Sequence, residues 1–399
     1  MDDDGIESDA YAADQGPGEG APIPASAAWR EGDHPGHRQF FTLGDLPLEA
    51  DPMGVLPNVT MAYETWGELN AAKDNAVYIA HALTGDSHVF GPAEPGHHTG
   101  GWWHAFVGPG KPIDPERHFI VSANVIGGCQ GTTGPASPHP EDGQPWGGRF
   151  PYVTMRDMVA AEIRLADHLG IDRWRLVAGP SMGGMRAIEW AVTVPERVGA
   201  IAPVGSTAAV TADQIAWSTA QLAAIKADPK FRDGNYYGAA DGDGPHVGIG
   251  IARMIAHTNY RSEGELADRF GRRYQGDSDP LGKGGLFAIQ SYLQHHARKL
   301  ARRFDANTYV RLSQAIQSHD VGRGRGGVET ALARYTGPAL VVAVDSDRLY
   351  PLKNSIQLDR GFAGSAGVKV VHSPVGHDGF LVESGQLNAF IADFERELQ

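Results

Sequence analysis

The stretch AGPSMGGMRAIEW, residues 178–190, decides how this chain is read. It sets one serine, Ser181, among small residues, after the apolar run WRLVAG and before an amphipathic segment that opens GGMRAIEWAV. A buried strand that turns sharply into a helix lifts a serine oxygen to the carboxyl edge of a sheet, and flanking glycines let the neighbouring elements come close. The unpaired N–H groups of the helix start favour a developing oxyanion there. Gly179-Pro180-Ser181-Met182-Gly183 therefore fits G-x-S-x-G in the strand–turn–helix setting that gives the pattern its meaning.

Outward from this turn the chain alternates between apolar runs and helical periods. AVYIAHAL (residues 76–83), FIVSANVIG (119–127) and AIAPVG (200–205) read as buried strands. Residues 156–170 read as a helix: Met158, Leu165 and Leu169 share a face with Val159, Ile163 and Ala166, and Gly170 stands where a C-terminal cap belongs. Such alternation predicts βαβ units and a parallel sheet flanked by helices, an α/β fold. The rhythm breaks over 206–328, where the pattern is helical. Thr211 with Gln214 forms a capping-box pattern, and Ile215, Leu222 and Ile225 make a stripe that stops before Asp228-Pro229. Further helices are expected near 247–256 and 287–302. Strand character returns in ALVVAVDSD (339–347) and VKVVHSP (368–374), and 384–397 closes the chain as a helix. The expected organisation is an α/β core over 36–205 and 329–399, a helical lid over 206–328, and a disordered acidic tail over 1–35, whose Asp, Gly, Ala and Pro offer little apolar surface to offset ordering entropy.

Composition narrows the function classes. The 399 residues, 41% hydrophobic and 21% charged, are those of an ordinary soluble globular protein. A net charge of −14 argues against a nucleic-acid partner. No run of about 18 apolar residues predicts a membrane span, and the acidic first residues lack the apolar core of a secretory signal. The single cysteine, Cys129, cannot form an internal disulfide. A cytoplasmic location is the expectation.

A serine hydroxyl needs a base, and the base needs an orienting carboxylate. In this architecture the order is Ser, then Asp or Glu, then His. Two loops past predicted strands supply candidates: VVAVDSDRLYP offers Asp345 and Asp347, and HSPVGHDGF offers His372 and His377. His377, in a Gly-His-Asp-Gly turn, is preferred over His372 at a strand end.

Taken together, GPSMGGMRAIEWA, HALTGDSHV (81–89), GWW (101–103), RFDANTYV (303–310), HDVGRGRGG (319–327), DSDRLYP (345–351) and GHDGFLVE (376–383) resemble the homoserine O-acetyltransferase family, most closely its actinobacterial branch. The resemblance runs in order from about residue 38 to the C-terminus. It implies an α/β-hydrolase fold with a helical lid, and transfer of an acetyl group from acetyl-CoA to the hydroxyl of L-homoserine in methionine biosynthesis. It implies Ser181 as nucleophile, Asp347 as orienting acid and His377 as general base. Asp378 would hold the substrate ammonium and Arg253 its carboxylate, with Tyr260 and Thr84 as further substrate contacts. Leu83 and Met182 would supply the oxyanion-hole N–H groups. The roles fit elementary chemistry, since a zwitterion needs an anionic and a cationic partner, and an arginine fork suits carboxylate. Acetyl-CoA is a co-substrate, and no cofactor is implied. A homodimer through the lid is implied as well.

Succinyl-using relatives carry an arginine two positions after the triad aspartate. Leu349 stands there, which favours acetyl. Serine as acceptor, or an esterase passing the acyl group to water, are the alternatives. Pro180 stands where many relatives have glycine, which removes one backbone donor beside the turn. Arg323 and Arg325 of VGRGRGG could meet coenzyme A phosphates, although a glycine-rich connection is the plainer reading. The paired histidines of PGHHTGGWWH and QHHARK lack a spaced third ligand, so no metal is expected. Cys129 has no histidine in a comparable setting and is not read as a nucleophile.

Overall fold

A computed structural model describes residues 21–398 apart from His98, Asp277, Ser278 and Lys283. The strands of the main sheet, in chain order, are β1 (Gln39–Pro47), β2 (Val55–Trp66), β3 (Ala76–Ile79), β4 (Phe119–Ala123), β5 (Leu176–Pro180) and β6 (Ile201–Val204). The chain then leaves the sheet, makes a small hairpin of β7 (Tyr274–Gln275) and β8 (Leu286–Phe287), and returns as β9 (Pro338–Ala339), β10 (Val342–Val344), β11 (Gly364–Ser365) and β12 (Lys369–Val371). The spatial order β1-β2-β4-β3-β5-β6-β10-β12 is antiparallel at its first two joints and parallel from β4 onward. The parallel part is the sheet expected from the sequence. The antiparallel pair β1 and β2 was not legible there, because its partly exposed residues make no continuous apolar run.

Both faces of the sheet are buried, as a parallel sheet requires. Tyr78, Val121 and Val177 point into one apolar layer, and Val77, Ile120, Leu176 and Ala178 into the other, following the two-residue period of a strand. Helices α1 (Met155–His168) and α2 (Met182–Thr193) cover the first face. The second is covered by the last helix, through Leu387, Ile391 and Phe394, and by Trp103 and Phe106. Helix α1 starts at a capping box, in which the Thr154 N–H donates to Asp157 Oδ2 and the Asp157 N–H to Thr154 Oγ1. It ends where Gly170 adopts φ 69°, the cap expected from the sequence.

Between β6 and β9 lie α3 (Ala212–Ala227), α4 (His246–Tyr260), α5 (Glu263–Phe270), α6 (Ala288–Ala301), α7 (Ala306–Gln317) and α8 (Val328–Leu332). The way into and out of this helical stretch is a backbone pairing, with Val210 N–H on the His319 carbonyl and Val321 N–H on the Ala208 carbonyl, both at 2.9 Å. On α3 the Thr211 N–H donates to Gln214 Oε1 at 2.8 Å, as the capping pattern predicts. The expected stripe is corrected in one member: Leu222 and Ile225 are buried, but Ile215 stays exposed. The remaining helices are α9 (Leu352–Gly361), α10 (Gly379–Val382) and α11 (Ser384–Glu397). No helix of the described residues is long and apolar enough to cross a membrane.

The expected tail over 1–35 needs correction in its second half. Residues 1–20 lie outside the described residues, but residues 21–35 pack on the protein. Ala25 and Ala28 are buried, Ser26 Oγ donates to Asp305 Oδ1 at 2.7 Å, His246 Nε2 meets the Pro24 carbonyl at 2.8 Å, and Trp29 stacks on Phe40. Small side chains docked through main-chain hydrogen bonds leave no hydrophobic period, so composition alone read them as tail.

Candidate active site

Strand β5 delivers Ser181 into a sharp turn, and α2 leaves from it. Ser181 has φ 55° and ψ −120°, a conformation that strains any residue carrying a Cβ. The turn is held by the Ser181 N–H on the Val204 carbonyl and by Ser206 Oγ on the Ser181 carbonyl, both at 2.8 Å. It can form because its neighbours are glycines. A Cβ on Gly183 would lie 2.0 Å from the Ala80 carbonyl oxygen, and one on Gly179 would lie 2.5 Å from it.

The loops after β10 and β12 bring two Asp–His pairs side by side, which resolves the alternatives left open by the sequence. His372 meets Asp345 at 2.9 Å on the surface, with the imidazole 78% exposed. His377 Nδ1 lies 2.6 Å from Asp347 Oδ2, and both side chains are buried. The other Asp347 oxygen accepts the N–H groups of Leu349 and Tyr350, at 2.8 and 2.9 Å, so its orientation is set by backbone. With Nδ1 facing the carboxylate, Nε2 is the nitrogen left for proton transfer. Burial by itself pulls the His377 pKa down, but the charge and hydrogen bond of Asp347, helped by Asp378, outweigh it and hold the ring above the ordinary histidine value.

Ser181, His377, Asp378, Arg253, Tyr260, Thr84 and Leu83 line one cavity between sheet and helical stretch. Arg253 comes from α4 and is buried, yet among the described residues no carboxylate pairs with its guanidinium. The Tyr260 ring lies beneath it, 5.9 Å away. An unpaired buried cation facing a cavity calls for an anion. Asp378 supplies the opposite charge. The backbone N–H groups of Leu83 and Met182 have no hydrogen-bond acceptor among the described residues. Met182 itself is buried, and Leu349 does not line the cavity.

Four residues at the site have no role in the sequence reading. Arg261 at the end of α4 places Nε 3.3 Å from Asp378 Oδ2. Arg303 donates to the Thr84 carbonyl at 2.9 Å and lines the cavity with Lys299. Tyr350, inside the DSDRLYP segment, packs on His377 with ring centroids 5.2 Å apart. Burial raises its phenol pKa, with the Ser181 hydroxyl hydrogen bond opposing. Arg303 opens the quoted RFDANTYV, Lys299 closes QHHARK and Tyr350 lies in DSDRLYP, but no role attaches to any of them from those stretches alone.

Two further stretches singled out in the sequence have partners of their own. Arg323 and Arg325 do not reach the cavity: Arg323 pairs with Glu49 at 2.7 Å, and Arg325 holds Glu189 and Thr193. Of the paired histidines in PGHHTGGWWH, His97 meets Glu64 of β2 and His88 of the HALTGDSHV segment, and all three are buried. His98 lies outside the described residues. His88 Nδ1 is 2.9 Å from Glu64 Oε2 and its Nε2 is 3.1 Å from the Pro92 carbonyl. Both partners are acceptors, which favours the ring protonated on both nitrogens. Burial opposes that charge, but Glu64 outweighs it and raises the pKa. His97 stacks on His88 with centroids 3.9 Å apart and planes 12° apart. Near-parallel rings send their lone pairs along parallel lines rather than toward one point, so the set reads as an ion pair with a stacked imidazole. Cys129 is buried, and burial raises its thiol pKa.

A family model described as "alpha/beta hydrolase fold" matches residues 75–384. Homoserine O-acetyltransferase of Thermobifida fusca is 54% identical over 373 residues, covering 93% of this chain and 97% of that protein. The protein of the same name from Clavibacter michiganensis is 52% identical over 372 residues, covering 92% and 95%. Among solved structures, homoserine O-acetyltransferase from Bacillus anthracis superposes with TM-score 0.81 at 26% identity, over 90% of this chain and 97% of that one. Esterase E22 superposes with TM-score 0.79 at 27% identity, over 90% and 99%.

Proposed function

This chain belongs to the homoserine O-acetyltransferase family of the α/β-hydrolase fold, and we propose that it moves an acetyl group from acetyl-CoA to the γ-hydroxyl of L-homoserine through an acetyl-serine intermediate. One observation carries the proposal. Ser181 and His377 share a cavity with a buried cation, Arg253, and a buried anion, Asp378, as recognition of a zwitterionic amino acid requires.

The steps follow from the groups present. His377 Nε2 takes the Ser181 proton as the hydroxyl oxygen attacks the thioester carbonyl, and the Leu83 and Met182 N–H groups receive the oxyanion. The protonated His377 returns its proton to the departing thiolate. Homoserine then binds with its carboxylate on Arg253 and its ammonium on Asp378. Its hydroxyl gives a proton to His377 and attacks the acetyl-serine, and collapse releases O-acetylhomoserine as His377 returns that proton to the departing Ser181 oxygen. Asp347 keeps the ring oriented and stabilises its cationic form. Lys299 and Arg303 at the cavity wall suit the phosphates of the acyl donor. Leu349, half-buried against the apolar core, offers no cation for the extra carboxylate of a succinyl group.

Turnover of acetyl-CoA and succinyl-CoA against homoserine and serine tests donor and acceptor together. Ser181→Ala should lose several orders of magnitude in rate, and near-normal turnover would refute the nucleophile. An esterase reading is favoured by one observation, the close superposition on esterase E22. Acetate release without homoserine separates the two. We place the enzyme in the cytoplasm as a homodimer joined through the lid. Val247 and Ile251, one turn apart on α4, and Ile215 on α3 remain exposed and suit such a contact. Light scattering on Val247→Glu, expected to be monomeric, tests it.

A further inference from the structure

The loop that carries the Leu83 N–H is held from below by a buried arginine. Arg186 lies on α2, five residues past Ser181, and is fully buried. Its Nη1 donates to Glu162 Oε1 of α1 and its Nη2 to the His81 carbonyl, each at 2.6 Å. Glu162 Oε2 accepts from Trp190 Nε1 at 2.7 Å, so both oxygens of the carboxylate are engaged. Charge is balanced inside the core, and one guanidinium spans two acceptors on separate elements.

The His81 ring is fixed independently. Its Nδ1–H donates to the Ala82 carbonyl at 2.7 Å, and the Val125 N–H donates to its Nε2 at 3.2 Å. Burial, with the nearby Arg186 charge, depresses the ring to about 3, so it stays neutral in that tautomer. The loop also has little slack against the elbow, because a Cβ added to Gly183 of α2 or to Gly179 of β5 would lie only 2.0 or 2.5 Å from the Ala80 carbonyl oxygen. Leu83 therefore follows two residues after a carbonyl clamped to α2, the same helix whose first residue is Met182.

We infer that Arg186 is a positioning residue for the oxyanion hole. By tying the His81 carbonyl to Glu162 across α2, it sets the spacing between the Leu83 and Met182 N–H groups. The inference rests on the acyl-transfer reading of Ser181. A lysine at this position can reach Glu162 or the carbonyl but cannot fork between them. The effect belongs in the transition state, where the oxyanion exists, and not in substrate affinity.

The test compares Arg186→Lys with the wild type, counting competent sites by the acylation burst with p-nitrophenyl acetate and checking the fold by thermal melting. Loss of one oxyanion donor costs about 10²–10³ in kcat, and misplacement costs less. Arg186→Lys should therefore lose tenfold or more in kcat per titrated site, keep its KM for homoserine, and bind an alkyl boronate adduct of Ser181 at least tenfold more weakly. If Arg186→Lys does not fold, Glu162→Gln is read in the same way. Normal kcat per site overturns the inference, whatever the melting temperature, and so does a raised KM at unchanged kcat. Ser181→Ala is run alongside: activity in that variant overturns the underlying reading, whereas an inactive Ser181→Ala beside a normal Arg186→Lys overturns only the role of Arg186.

Discussion

Arg261 Nε lies 3.3 Å from Asp378 Oδ2, so the carboxylate expected to hold the substrate ammonium already has a cationic neighbour. The contact belongs to a wider seam. The His377 N–H donates to the Tyr260 carbonyl at 2.7 Å, the Ser262 N–H to the Val375 carbonyl at 3.2 Å, and Ser262 Oγ to the Pro374 carbonyl. The end of α4 is thereby stitched to the loop of His377, the proposed general base. Since Arg253 sits on that helix, both poles of the proposed substrate clamp and the base belong to one hydrogen-bonded unit.

Asp378→Asn removes the anion that faces the substrate amine while leaving a residue of the same size. A hydrogen bond to a charged group is worth about 1.5–3 kcal/mol, which predicts a homoserine KM raised roughly 10- to 100-fold. Acylation by acetyl-CoA should change much less, since the donor has no amine to place there. Steady-state KM for homoserine, set beside the single-turnover acylation rate, checks both.

Arg253→Met should separate stability from function. The guanidinium is buried without a carboxylate partner among the described residues, so replacing it with an apolar chain of similar length removes a desolvation cost. An unfolding free energy higher by about 1 kcal/mol is expected, together with loss of homoserine saturation. Denaturant titration and KM measurement decide it; a destabilised variant with normal KM would show that the cation serves the fold.

Ser181→Gly tests the strain at the elbow. Backbone strain of this kind costs about 1–3 kcal/mol, and the extra freedom glycine gives the unfolded chain takes back about 0.5–1. The variant should be inactive and more stable than wild type by about 1 kcal/mol, as read from denaturant midpoints.

The pH profile follows from His377. The neutral ring is the proposed base, and its pKa is raised, so kcat/KM for acylation should fall with acid through a value above about 6.5. Asp347→Asn removes the raising charge, so the acid limb should move to lower pH while turnover drops about 10⁴-fold. The same shift has a stability sign. A folded pKa above the unfolded one gives a contribution fully present below about pH 6.5 and lost as pH rises through the folded pKa. The stability gap between wild type and Asp347→Asn should therefore narrow from pH 6 to pH 9.

Arg325→Met should weaken the fold and leave catalysis intact. Arg325 pairs with Glu189, which is 1% exposed at its side chain. Arg156 remains 3.5 Å away as a second partner. The cost should thus fall below the roughly 3–5 kcal/mol of a fully unpaired buried charge. KM for acetyl-CoA should not move, and a rise would restore the phosphate-binding role that the cavity denies this residue.

The sequence by itself determined the parallel sheet, the Ser181 elbow and the helical stretch between the two halves of the core. Each is written locally: apolar runs of strand length, a 3.6-residue period, and glycines where two backbones nearly touch. Chain order and turn context also singled out His377, and the family resemblance implied Asp347, Arg253 and Asp378. Only the tertiary structure decided which Asp–His pair is buried, since DSDRLYP and HSPVGHDGF each carry two candidates and burial depends on what packs above them. It alone brought Arg261 to Asp378, Glu64 to His88 and Arg186 to the His81 carbonyl. These partners are separated by 117, 24 and 105 positions. No local period encodes such distances, because a charge or hydrogen-bond partner is chosen by proximity after the chain has folded.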